Sequence, residues 1–188
     1  MKISLREVGG SEVLAGALAG RAVFREILSR LDHDATSAEP LFLDFSEVSV
    51  ATASFLRESA LALKAYMRAQ KSSYYPVIAN ASAVVLDEMD VLLRDQNDAI
   101  LICSLDDDDL VSELDLVGGI DQRYRATLEL IMERGEVDAT ALAGLSSVEN
   151  QIGQTGWNNR LTALVRAGLL AERTVGRTKY YRAILEGN

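Results

Sequence analysis

Short apolar runs alternate with stretches of helical periodicity over the first half of the chain. Lys2–Val8 alternates polar and apolar residues, the period of a half-buried strand. From Glu12 to Leu31, residues Leu14, Leu18, Val23, Ile27 and Leu31 form an apolar side at helical spacing, with Ser11 placed to cap the helix. Leu41–Phe45 is a short apolar run carrying Asp44 near its end and predicts a buried strand. Phe55, Leu56, Ala60, Leu63 and Met67 predict the buried side of a second helix, which Ser54 would cap. Tyr74–Ala79 reads as a third strand, Ser82 to about Arg94 as a helix, and Ala99–Cys103 as a fourth strand. Strands separated by helices predict an α/β layer with crossover connections.

The pattern changes after Ser104. Asp106-Asp107-Asp108-Asp109 and the later Gly118-Gly119 bracket an expected boundary. Repelling charges and glycines suit a linker, whereas carboxylates also suit the start of a short helix, DDDDLVSELDL. The expected organisation is residues 1–105 as one α/β domain, 106–120 as an acidic linker or short helix, and 121–188 as a second domain. In the last, Asp121 caps a helix from Gln122 to Arg134, with Leu128, Ile131 and Met132 as core candidates and Gly135 as the stop. Asp138 starts a short helix, Ala139–Leu145. A loop over 146–153 leads to a third helix, Thr155–Ala167, stopped by Gly168. Strands follow at Leu169–Arg173 and Thr178–Ile184, giving three helices and then a hairpin.

At 188 residues and 48% hydrophobic, the chain has enough apolar material for one large core or two small ones. No apolar run reaches the ~18 residues that span a bilayer, and MKISLREVGG lacks the apolar stretch of a signal peptide. The single cysteine, Cys103, excludes an intrachain disulfide framework. A cytoplasmic protein that does not enter a membrane is the expectation. The net charge of −9 is unevenly spread. Residues 1–117 carry ten Lys/Arg against twenty Asp/Glu, whereas 118–188 carry nine against eight. Between Arg160 and Arg182 six basic residues face one acid, Glu172. Local charge governs phosphate contact, so an acidic chain can still present a basic surface to DNA.

That surface is the helix and hairpin of Thr155–Ile184. At 100° per residue, Trp157, Leu161, Leu164 and Gly168 share one side of the helix. Thr155, Asn159, Thr162 and Arg166 take the other, with Asn158 at the border. Asn can pair with adenine, Thr can touch the thymine methyl, and Arg can reach phosphate or guanine. Thr155, Asn158, Asn159 and Thr162 are therefore the base-reading candidates and Arg166 a backbone clamp. In the hairpin, Gly176 permits a tight turn in Thr174-Val175-Gly176-Arg177. Arg173, Arg177 and Lys179 then lie at or near its tip, suited to phosphate or minor-groove contact. A solvated basic surface is the alternative, with Trp157 a core anchor in either case.

The segment NNRLTALVRAGLLAERTVGRTKYY, within about Asp121–Ile184, resembles the winged helix-turn-helix domains of ArsR/MarR-type regulators. The likeness rests on an arginine-leucine helix, a Gly-Leu-Leu stop and a Gly-Arg-x-x-Tyr wing. It implies an α+β fold, double-stranded DNA as partner, and a homodimer on a palindromic site. LFLDFSEVSVATASFLRES, extended by PVIANASAVVLDEM with Asn80 after its strand, resembles STAS-like domains, which include anti-sigma-factor antagonists. That resemblance covers roughly Lys2–Ser104 and implies a mixed sheet with helices, serving dimerisation or partner sensing. The antagonists place their modified hydroxyl second in an Asp-Ser-Ser/Thr-Gly run. The aligned stretch here is Thr52-Ala53-Ser54-Phe55, so Ala53 holds the hydroxyl position and Phe55 replaces the glycine. Thr52 and Ser54 remain as regulatory candidates, with helix capping by Ser54 and a loop hydroxyl at Thr52 as the competing roles.

His33, the only histidine, lies between Asp32 and Asp34 in an expected loop. No Ser-His-Asp, Cys-His, HExxH, GxxxxGK or GxGxxG arrangement is present, and Asp106–Asp109 lacks the spacing of a calcium loop. The expectation is no enzyme, no metal and no cofactor. The leading reading is a sequence-specific transcriptional regulator. The alternative is a protein-interaction switch of the anti-sigma-antagonist kind, with a protein partner at the N-terminal domain and the winged helix docking protein instead of DNA.

Overall fold

The computed structural model describes residues 1–31, 37–145 and 152–185. His33 and the 146–151 part of the expected loop lie outside them. The chain divides into two compact units, Met1–Gly119 and Ile120–Asn188.

The first unit is built on a mixed sheet with helices. Strands β1 (Lys2–Ser4), β3 (Glu39–Asp44), β5 (Tyr74–Ala79), β6 (Ala99–Leu105) and β7 (Val111–Gly118) hydrogen-bond in that order. The first four run parallel and β7 is antiparallel to β6. The connections carry helices α1 (Leu5–Gly9), α2 (Ala17–Arg30), α3 (Ala53–Leu56), α4 (Ala62–Ala69) and α5 (Ala83–Asp95). A separate two-residue ladder joins β2 (Val13–Leu14) to β4 (Val50–Ala51). Leu41, Leu43, Val77 and Ile78 are wholly buried. Neighbouring side chains on a strand point to opposite faces, so both faces of the central strands are covered, as their continuous apolar runs require. Each such residue contributes about 1.5–3 kcal/mol on burial.

Three elements differ from expectation. Lys2–Val8 is a strand only to Ser4, whose hydroxyl accepts the Glu7 N–H at 3.2 Å and starts α1. The long helix expected from Glu12 begins only at Ala17. Gly10 and Gly16 have φ of 70° and 87° and turn the chain around β2. Val23 and Ile27 are buried as expected, but Leu18 is 79% exposed. The expected linker or helix at 106–120 is instead a turn followed by an edge strand. The Asp106 carboxylate accepts the N–H groups of Asp108 and Leu110 at 3.0 and 2.8 Å, and β7 then pairs back along β6.

The other helices match their sequence cues more closely. Phe55, Leu56, Ala60, Leu63 and Met67 are all buried, in a run that passes through a π-helical segment, Arg57–Leu61. Gly20 of α2 packs against this run: a Cβ there would lie 2.7 Å from the Phe55 carbonyl oxygen. Among the described residues, no helix is long and apolar enough to cross a membrane.

In the second unit, α6 (Gln122–Arg134) is capped by Asp121 and stops at Gly135, φ 75°. Val137 follows and bridges Tyr181, then come α7 (Ala139–Leu145), α8 (Gln154–Arg166), and the antiparallel strands β8 (Leu170–Val175) and β9 (Thr178–Ala183). The helices pack on each other and on the hairpin through Leu128, Ile131, Leu142, Leu161, Leu164 and Tyr181, each no more than 1% exposed. Met132 is only half-buried.

Candidate nucleic-acid interface

Helix α8 begins after Gly153 and ends where Gly168, φ 72°, reverses the chain into β8. Its apolar positions recur every three or four residues, which fixes the helix by one side. Trp157, Leu161 and Leu164 are buried there. The indole N–H of Trp157 has no acceptor among the described residues, and the Arg160 guanidinium lies 5.5 Å from the ring centre. The opposite side leaves Thr155, Asn158, Asn159 and Arg166 exposed.

Thr162 departs from this group. It is half-buried, on the side of the helix toward the Tyr181 phenol of β9. Burial pushes that phenol above its ordinary pKa. Thr162 is thus less open to solvent than Thr155, Asn158 and Asn159. The polar face of α8 is narrower than helical geometry alone indicates.

The hairpin has full register from Leu170↔Ala183 to Val175↔Thr178, and Gly176, φ 62°, makes its turn. Val175 and Arg177 are exposed at the tip. Val137 exchanges both backbone hydrogen bonds with Tyr181 and so forms a single-residue bridge beyond β9. This placement brings Glu136 within reach of Arg173. The guanidinium crosses over Tyr180, 5.1 Å from its ring centre, and meets Glu136 at two points, with Nε to Oε1 at 2.6 Å and Nη2 to Oε2. The pairing holds the Glu136 carboxyl below its usual pKa and raises that of Arg173. Lys179 donates to both oxygens of Glu172, at 2.9 and 3.2 Å, and its pKa is raised in turn. Among the described residues, Arg166 and Arg177 carry no such partner. Of the three cations expected near the tip, Arg173 and Lys179 project from opposite faces of the hairpin, since Lys179 pairs with Thr174, and each is held by an acid.

Sequence reasoning counted Glu172 as the lone acid among the six cations but missed both pairings. Glu172 was accessible to it: once Gly176 sets the turn, the register places Glu172 diagonal to Lys179. Glu136 was not, because it lies 37 residues from Arg173 and meets it only through the Val137 bridge.

The two regulatory candidates lie in the first unit. Thr52, not Ser54, caps α3. Its Oγ1 accepts the N–H of Phe55 at 3.4 Å and that of Gly16 at 3.2 Å, so one hydroxyl joins the starts of α2 and α3. Ser54 Oγ lies 3.2 Å from it. Nearby chemistry is likewise occupied. Asp44 is 8% exposed and accepts from Ser46 N–H and Asn80 Nδ2, both at 3.0 Å. Beside it, burial pushes the Cys103 thiol up to about 11. Among the described residues, no cluster of His, Cys, Asp and Glu could hold a metal ion. Comparison with protein-family models, curated proteins and solved structures finds no match to this chain.

Proposed function

We propose that this protein is a sequence-specific DNA-binding transcriptional regulator. Its second unit would act as a winged helix-turn-helix, and its first, STAS-like unit would supply dimerisation or partner sensing. The observation that carries the reading is the pairing of two features on consecutive elements. Helix α8 buries Trp157, Leu161 and Leu164 while exposing Thr155, Asn158 and Asn159, and the hairpin that follows carries Arg177 on an exposed glycine turn. Side chains of this kind read base edges in the major groove, and a cationic hairpin meets the backbone or minor groove alongside. The acidic balance of the first unit keeps that unit off the duplex.

The roles separate in binding experiments. Arg177→Ala weakens binding to all sequences and lowers the salt slope by about 0.9, the share of one phosphate contact. Asn159→Ala relaxes the sequence preference instead. Unchanged binding in both variants refutes the assignment.

A second reading, in which the hairpin docks a protein, draws support from the acids that neutralise Arg173 and Lys179. Recovery of a stoichiometric protein partner, without affinity for any duplex, would favour it.

A further inference from the structure

Few of the six cations between Arg160 and Arg182 are at liberty. Arg173 is clasped at two points by Glu136 and lies over Tyr180. Arg182 is near enough to Glu136 to help keep that carboxyl charged, and is itself engaged. Lys179 is held by both oxygens of Glu172, and Arg160 lies over Trp157. Arg166 and Arg177 alone in this set lack a partner among the described residues.

Both acids are positioned by the fold of the second unit. Glu172 is a β8 residue, and Glu136 adjoins the Val137 bridge to β9. Folding of the second unit therefore brings these acids to the cations before any ligand arrives. The pairs remain open to solvent: side-chain exposure is 57% for Arg173 and 31% for Glu136, and 52% for Lys179 and 32% for Glu172. Exposed ion pairs are weak, so a well-placed phosphate can displace the carboxylate. A phosphate met at random gains little by doing so. Sequence-independent affinity comes from cations that neutralise phosphates and release counterions, and pairing reduces that contribution.

We infer that Glu136 and Glu172 are specificity-determining residues of this interface: they withhold Arg173 and Lys179 from indiscriminate phosphate contact and leave discrimination to the exposed polar face of α8. The inference rests on the DNA-binding reading above.

The test is binding of the full chain to a mixed-sequence duplex over a series of salt concentrations. Wild type is compared with Glu136→Gln/Glu172→Gln and with Glu129→Gln/Glu133→Gln. The second pair removes the same charge from exposed α6 positions that hold no cation among the described residues. The first double variant is expected to bind two- to tenfold tighter at low salt, with a slope steeper by up to about 1.8 for the two released cations. The α6 variant is expected to shift less in both respects. Each single variant, Glu136→Gln or Glu172→Gln, shows part of the effect, and Trp157 fluorescence on unfolding verifies that the proteins compared are folded. Equal shifts in the two double variants, with wild type binding the duplex, overturn the inference and leave the DNA-binding reading standing. Binding by none of these proteins overturns both.

Discussion

Leu161→Ala and Asn159→Ala form a pair that tests which side of α8 is structural. Leu161 is fully buried and Asn159, two residues earlier, is exposed. Truncating a buried leucine costs about 2–5 kcal/mol through lost transfer energy and the cavity left behind. A unit the length of residues 120–188 has about 3–10 kcal/mol in total, at ~0.05–0.15 kcal/mol per residue. Leu161→Ala therefore removes a large fraction of it. Asn159→Ala removes no packing and exchanges a poor helix former for the best, so its effect is between zero and a gain of about 0.7 kcal/mol. The assay is urea unfolding followed by the fluorescence of Trp157, the only tryptophan, which reports the second unit alone. With a urea dependence near 1 kcal/mol/M for so small a unit, Leu161→Ala lowers the midpoint by about 2 M or more. A loss below about 1 kcal/mol for Leu161→Ala, or one above that for Asn159→Ala, would mean that α8 is rotated from the orientation described. The surface assigned to base reading would then be wrong as well.

Further outcomes follow from individual contacts. Gly118→Ala should destabilise the first unit by about 2–6 kcal/mol in thermal unfolding followed by far-UV circular dichroism. Gly118 has φ 104°, and a Cβ there would lie 2.4 Å from the Asp98 carbonyl oxygen and 2.7 Å from Leu93 Cβ. Thr52→Ala leaves the Gly16 and Phe55 amides without their acceptor and should cost about 0.5–2 kcal/mol in the same assay, with Thr52→Ser retaining most of the stability. Asp121 gives a pH signature in the second unit. The Arg123 guanidinium and backbone N–H hold its carboxyl down to about 2, against about 3.9 in an unfolded chain. Its contribution is complete above about pH 4 and is lost as pH falls toward 2. Asp121→Asn should flatten that acid branch of the Trp157 unfolding midpoint.

The second unit was the more legible from sequence because its punctuation is local. Asp121, Gly135, Asp138 and Gly168 each act on the residues beside them, so helix ends could be placed from single side chains. The first unit hid more. Ser4 and Glu7 carry the spacing of a capping box, yet the alternation of Lys2–Val8 dominated the reading, and α1 was missed. Edge strand β7 was obscured because Glu113 and Asp115 are tolerated where one side of a strand faces solvent. The acidic run before it forms a turn through side-chain hydrogen bonds rather than through a turn-forming glycine. Within the candidate interface, periodicity separated Trp157, Leu161 and Leu164 from Asn158 and Asn159. It did not reveal that Thr162 is half-buried, since that depends on how the hairpin packs against α8.

The central claim is recognition of a defined DNA sequence by α8 and its hairpin. Selection of bound duplexes from a randomised pool at moderate salt tests it most directly. The account predicts enrichment of one motif, palindromic if two copies bind together, and loss of that preference in Asn159→Ala. A pool recovered unchanged, or enriched equally by wild type and Asn159→Ala, would contradict it.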